Sequence, residues 1–116
     1  MKVVHLNKKP YDVRIDRATM WGNPWSSKKV NKAMFTTDSR KESVDNFRAW
    51  LKGDGFTDVL QEKRQNILDQ LETLRGKTLG CWCHPQLCHG EVYIELLGEE
   101  FENNPYPGDN LLDIFG

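Results

Sequence analysis

The sequence predicts an α/β fold: a small mixed sheet of about three strands covered by three helices, in a single layered domain. Three observations predict it. Short apolar alternations at 2–6, 11–16 and 77–83 carry the two-residue period of strands. Residues 39–75 and 90–97 carry apolar side chains at helical spacing. The order that results, β-β-α-α-β-α, suits one sheet with helices packed on it. A chain of 116 residues with 38% hydrophobic and 28% charged residues has material for one modest core and is too apolar for a disordered chain.

"KVVHL" (2–6) is a short strand, and "NKKP" turns the chain. "YDVRID" (11–16) alternates, with Val13 and Ile15 on one face. Gly22, Asn23 and Pro24 in succession exclude regular structure, and 26–37 reads as loop. Ser39 with Glu42 forms a capping box that opens the first helix. Its stripe is Val44, Phe47 and Leu51, with Trp50 beside it, and Gly53 and Gly55 end it. A second helix starts near Thr57 or Asp58, runs along Leu60, Ile67, Leu71 and Leu74, and stops at Gly76. "KTLGCWC" (77–83) is a third, buried strand, and Pro85 holds "HPQLCH" in a turn. A third helix follows from about Gly90, through Val92, Tyr93, Leu96 and Leu97, to Gly98. The domain spans 1–98, and 99–116 is an acidic C-terminal tail.

A net charge of −1 argues against a whole-protein electrostatic grip on nucleic acid. The charge is uneven, however. Residues 1–50 hold eleven Lys and Arg against five Asp and Glu, and residues 51–116 hold five against twelve. A basic face with an acidic tail and an ordinary solvated surface both satisfy this pattern. No apolar run of 18 residues or more exists, so no membrane span is expected. The N-terminal apolar run is too short for a signal peptide. Three cysteines, an odd number crowded into eight residues, suit a reducing compartment better than a disulfide framework. The expected location is the cytoplasm.

Those cysteines lie in "GCWCHPQLCHG" (80–90), together with two of the three histidines. On a strand, Cys81 and Cys83 share a face, and Cys88 and His89 then stand at the start of the last helix. Three readings follow. Cys81, Cys83, Cys88 and His89 have the residue types of a zinc site, although the spacing is not that of a two-knuckle finger. Cys88 or Cys83 is alternatively a reactive thiol, with His89 or His84 as base and Glu91 as a further acid or base. The cysteines are otherwise small hydrophobes packed between sheet and helix.

"DRATMWGNPW" (16–25) is the second unusual stretch. Loops beyond strand ends are where α/β sheets place ligands. Arg17 has the chemistry to grip a phosphate or carboxylate, Asn23 to read a base edge or sugar hydroxyl, and Trp21 or Trp25 to stack on a base. Gly22 stands with them among the candidate ligand-binding residues. Equally, Gly-Asn-Pro is a tight turn and the tryptophans cap the core.

These two stretches carry a resemblance. The patterns R-x-[ST]-x-W-G-N-P-[FW] and L-G-C-W-C-x-P-x-x-C-H-G are similar to those of a phage and bacterial family, domain of unknown function 4326. The first is Arg17, Thr19, Trp21, Gly22, Asn23, Pro24 and Trp25, with Trp25 where phenylalanine is expected. The second is Leu79, Gly80, Cys81, Trp82, Cys83, Pro85, Cys88, His89 and Gly90. The resemblance covers roughly residues 2 to 97 and implies a small α/β domain without implying a reaction; if the chain is phage-encoded, its compartment is the host cytoplasm. Beyond it, Leu112, Asp113, Ile114 and Phe115 are similar to the core of peptides that bind sliding clamps, although Leu111 stands where glutamine is usual. The same residues could instead fold back onto the domain.

The expected function is binding or processing of a nucleotide or nucleic-acid component in a cleft. Arg17, Trp21, Gly22 and Asn23 would line one side. Cys83, Cys88, His89 and Glu91 would form the other. The alternative is a zinc-stapled, non-enzymatic adaptor that docks on replication or transcription machinery through its tail.

Overall fold

A computed structural model describes residues 1–27, 34–84 and 86–102. In chain order the elements are β1 (Lys2–His5), β2 (Val13–Arg14), β3 (Trp25–Ser26), β4 (Phe35–Thr36), α1 (Arg40–Lys52), α2 (Gln61–Gln70) with a 3-10 turn (Leu71–Leu74), β5 (Thr78–Cys81) and α3 (Gly90–Leu96). The fold is α/β, with three helices as the sequence predicts. The last of the described strands, β5, lies at the centre of a three-stranded sheet of order β1-β5-β2. Both its ladders are parallel: Val3 pairs with Leu79 and His5 with Cys81 on one side, Val13 with Leu79 on the other. Parallel neighbours need long crossovers. The excursion through α1 and α2 supplies one here, so among the described residues the sheet is parallel rather than mixed.

Being central, β5 buries Leu79, Gly80 and Cys81 in an unbroken run. Val3, Ile15, Leu79 and Cys81 join the core under the helices. On the opposite face Leu6 and Tyr11 lie so close to Gly80 that a Cβ there would stand 2.7 and 2.8 Å from them.

The cap of α1 is as expected, with one change. Ser39 Oγ accepts from Glu42 N–H at 3.0 Å, while Glu42 reaches back to the N–H of Asp38 rather than that of Ser39. Gly53 ends the helix in the left-handed region, φ 83°. The buried face holds Val44, Phe47, Trp50 and Leu51. Phe47 packs edge-on against Tyr93 at 5.4 Å and Trp50 against Trp25 at 5.8 Å, so aromatic rings join α1, α3 and the 16–25 loop.

Two elements differ from expectation. The second helix starts at Gln61, later than Thr57 or Asp58. Phe56 and Leu60 both take positive φ, which stops helical propagation before Gln61. The Trp50 indole N–H meanwhile donates to the carbonyl of Val59 at 2.6 Å, holding the turn in place. The segment expected as loop contributes β3 and β4, a parallel pair in which Trp25 is opposite Phe35. Beyond α3 the chain stays tied to its start: the Met1 ammonium meets the carbonyl of Glu100 at 2.8 Å and the carboxylate of Glu102 at 2.9 Å. Leu112, Asp113, Ile114 and Phe115, the docking residues suggested by the sequence, lie outside the described residues. No helix among the described residues is long and apolar enough to cross a membrane.

Candidate functional site

The loop after β2 is built by its own backbone. Ile15 N–H donates to Gly80 carbonyl at 2.9 Å, extending the ladder past β2, and the chain then turns. Thr19 bonds back to the Asp16 carbonyl through its N–H at 3.0 Å and its hydroxyl at 2.9 Å. Gly22 then returns so closely that a Cβ would stand 2.6 Å from Arg17 Cα and 3.0 Å from the Asp16 carbonyl oxygen. Asn23, buried, locks the next step. Its Oδ1 accepts from Trp25 N–H at 2.9 Å, and its amide donates to Ser43 Oγ at 3.0 Å. The Trp25 carbonyl in turn accepts from Ser43 Oγ at 2.9 Å and from Arg17 Nη2 at 2.7 Å. Both tryptophans of the motif are buried, Trp21 packing edge-on against Tyr93 at 5.4 Å.

The cysteine stretch converges on this loop. β5 ends at Cys81, and Trp82 turns outward, 51% exposed, with its indole N–H on Asp16 Oδ2 at 2.9 Å. Cys81, Cys88 and His89 are buried, and their ligating atoms all lie within 4.8 Å of one another. Cys88 Sγ donates to Cys81 Sγ at 2.8 Å. His89 Nε2 stands 2.8 Å from the Ile15 carbonyl and 2.9 Å from that of Trp21. A carbonyl only accepts, so Nε2 carries the proton; the lone pair of the neutral ring is then on Nδ1, 3.6 Å from Cys88 Sγ. Burial holds the His89 pKa below the usual imidazole value, which keeps the ring neutral. The thiols are unequal. Hydrogen bonding with Cys83 pushes Cys81 up to about 12, and burial pushes Cys88 well up. Hydrogen bonds from Cys81 and Cys88 hold Cys83 far below the usual thiol range.

Between loop and cluster lies a cleft of about 560 Å³. Arg14, Arg17 and Arg40 line it, together with Asp16, Asn23, Ser43, Cys81, Trp82, Cys83 and His89. Of the residues singled out from sequence, Arg17, Asn23, Cys81, Cys83 and His89 therefore meet on one wall or another. Trp21 and Gly22 shape the loop from behind. Cys88 lies beneath the wall, and Glu91 lies away from it, paired with Arg48 at 3.1 Å. Arg14, Asp16, Arg40, Ser43 and Trp82 were not singled out. The signal for Trp82 was its place between Cys81 and Cys83, and for Arg40 a positive charge in a helix first turn, where anions are favoured.

Arg17 Nε is buried without a hydrogen-bond partner. Asp16 is engaged: Arg14 Nη2 lies 2.6 Å from Oδ2. Burial would raise the Asp16 pKa, but the hydrogen bonds from Arg14 and Trp82 outweigh it and hold the carboxyl below its ordinary value. A depressed carboxyl pKa contributes stability above the unfolded pKa, and that stability is lost as pH falls through the folded one. Wild type should therefore lose stability more steeply than Asp16→Asn below about pH 4. Melting curves by circular dichroism against pH test this, and parallel curves would refute it.

The family model for Domain of unknown function (DUF4326) matches residues 2–99. The chain belongs to the DUF4326 family. The match runs from β1 through α3, so the cleft and the Cys–His cluster both lie inside the DUF4326 domain. The chain is also similar to an uncharacterized 12.4 kDa protein from the nrdA-td intergenic region of Enterobacteria phage T4. The two are 30% identical over 105 residues, covering 89% of this chain and 82% of that protein. No solved structure matches this DUF4326 chain.

Proposed function

We propose that the cleft binds a nucleotide or nucleic-acid component through its anionic group. The observation that carries this reading is the buried, unpartnered Nε–H of Arg17, on a wall that also holds Arg14 and Arg40. A buried donor without an acceptor is costly, and an incoming phosphate or carboxylate oxygen would supply one. Three guanidinium groups face a single carboxylate there, in a chain whose net charge is −1. The volume lies within the usual range of small-molecule sites. Trp82, half-exposed on the cleft, takes over the stacking role that the sequence suggested for Trp21 or Trp25, both of whose rings are in the core.

The test is a heat-stability screen with a nucleotide panel on wild type and Arg17→Ala. A charge-assisted hydrogen bond is worth about 1.5–3 kcal/mol, so the variant should bind about 10- to 100-fold more weakly. A ligand that shifts both proteins equally, or no ligand for either, would count against the cleft. A second reading, the zinc-stapled adaptor, is favoured by Cys81, Cys88 and His89 standing together. It would give stoichiometric zinc and no shift with any nucleotide.

A further inference from the structure

We propose that Cys81, Cys83, Cys88 and His89 form a closed tetrahedral zinc centre, with His89 ligating through Nδ1 and Cys83 as the fourth, cleft-side ligand. The proposal deepens the metal half of the second reading. It depends on neither the adaptor role nor the cleft's ligand, and its readout is metal, so it can fail while nucleotide binding stands, and the reverse.

The argument starts from the histidine. Two backbone carbonyls hold the Nε2 proton of His89 and aim the bare Nδ1 at a sulfur. A ring that donates one N–H to the backbone and presents its other nitrogen is how proteins orient a metal-ligating histidine. The sulfurs are prepared in the same way. Cys83 N–H donates to Cys81 Sγ and Gly90 N–H to Cys88 Sγ, each at 3.4 Å. Such donors favour a thiolate, the form that binds metal.

Cys83 stands outside the tightest trio, but its backbone N–H donates to Cys81 Sγ at 3.4 Å and it lines the same cleft as Cys81 and His89. It lies past the end of β5, half-buried, on a turn that is free of ladder bonds. Closing the set therefore moves a turn and not a strand. The donor set, three soft sulfurs and one imidazole, selects zinc over magnesium or calcium. In the loaded centre all three cysteines are thiolates, any thiol protons having gone to solvent, and the charge is −1. Arg40 lines the same cleft as Cys83 and would offset that negative charge. At 2.8 Å the Cys81 and Cys88 sulfurs are not in a disulfide, whose bond is about 2.05 Å. Around one zinc at about 2.3 Å from each, they would open to about 3.7 Å.

The experiment is elemental analysis of protein purified under reducing conditions without chelator, followed by cobalt titration of the stripped protein. The expected result is about one zinc per chain and a tetrahedral cobalt spectrum with strong thiolate charge transfer. Cys83→Ser should lose about a third of that charge-transfer intensity and bind cobalt at least about tenfold more weakly. Because Cys83 is off the strand and half-buried, this variant keeps the fold. His89→Cys should restore metal that His89→Ala loses, a rescue that packing alone would not give. Wild type without metal or cobalt signal would overturn the centre, as would an intact mass showing a Cys81–Cys88 disulfide. Cobalt binding by Cys83→Ser at wild-type affinity and intensity would overturn Cys83 as a ligand.

Discussion

Asn23→Leu should lower the stability of the protein by about 2–4 kcal/mol. Leucine has the branching of asparagine but is bulkier, so the change removes hydrogen bonds without opening a cavity and adds some overpacking at a buried site. Three contacts go: Trp25 N–H to Oδ1, and the amide to Ser43 Oγ and Ser43 carbonyl at 3.3 Å. The Trp25 N–H is then left buried with no acceptor, which alone costs about 1–3 kcal/mol. The Trp25 carbonyl still has Arg17 and Ser43, which limits the loss. For a domain of about this length, where 1 kcal/mol moves the midpoint by about 4–8 °C, the melting temperature should fall by about 8–32 °C. Ser43→Ala is the comparison. It removes one of two donors to the Trp25 carbonyl and should cost about 1 kcal/mol. If Asn23→Leu melted within a few degrees of wild type yet lost the nucleotide shift, Asn23 would be a ligand group rather than a loop lock.

That comparison bears on how much of the site was readable in the sequence. The Trp-Gly-Asn-Pro stretch stands out by its residue types, and the sequence offers both a binding loop and a tight turn for it. The geometry divides these roles among residues. Trp21, Gly22 and Asn23 build the turn, while Arg17, on the cleft, keeps a buried donor without a partner. The helices were legible where capping and period coincide, as at Ser39, Glu42, Phe47 and Leu51. The start of α2 was not, because a positive φ at Phe56 and Leu60 has no signature in residues that normally avoid it. Two-residue strands such as β3 and β4 have no period to detect. The remaining cleft residues were hidden for another reason. Arg14, Arg40 and Trp82 come from a strand, a helix start and a turn far apart in the chain, and only the parallel packing around β5 brings them together.

Gly22→Ala should be more damaging than Gly90→Ala, although both glycines sit in tight, buried places. At Gly90 a new Cβ would stand 2.7 Å from Ile15 Cδ1 and 2.9 Å from Val3 Cγ2. Both are the tips of side chains, which can rotate at the cost of strain, so overpacking of about 1–3 kcal/mol is expected. At Gly22 the nearest atom is the Cα of Arg17 at 2.6 Å, followed by the Asp16 carbonyl oxygen at 3.0 Å. Backbone cannot rotate away. The whole 16–22 turn must move, and with it the bond from Arg17 to Trp25 and the Trp21 carbonyl that holds His89 and Tyr93. The loss should reach or exceed about 3 kcal/mol, a large part of the stability of an ordinary small domain. Urea midpoints on the two variants, with wild type alongside, test the order. A Gly22→Ala protein as stable as wild type would mean that the loop does not need this close return. If it is destabilised but folded, its nucleotide affinity should fall about as far as that of Arg17→Ala, because the guanidinium is displaced rather than removed.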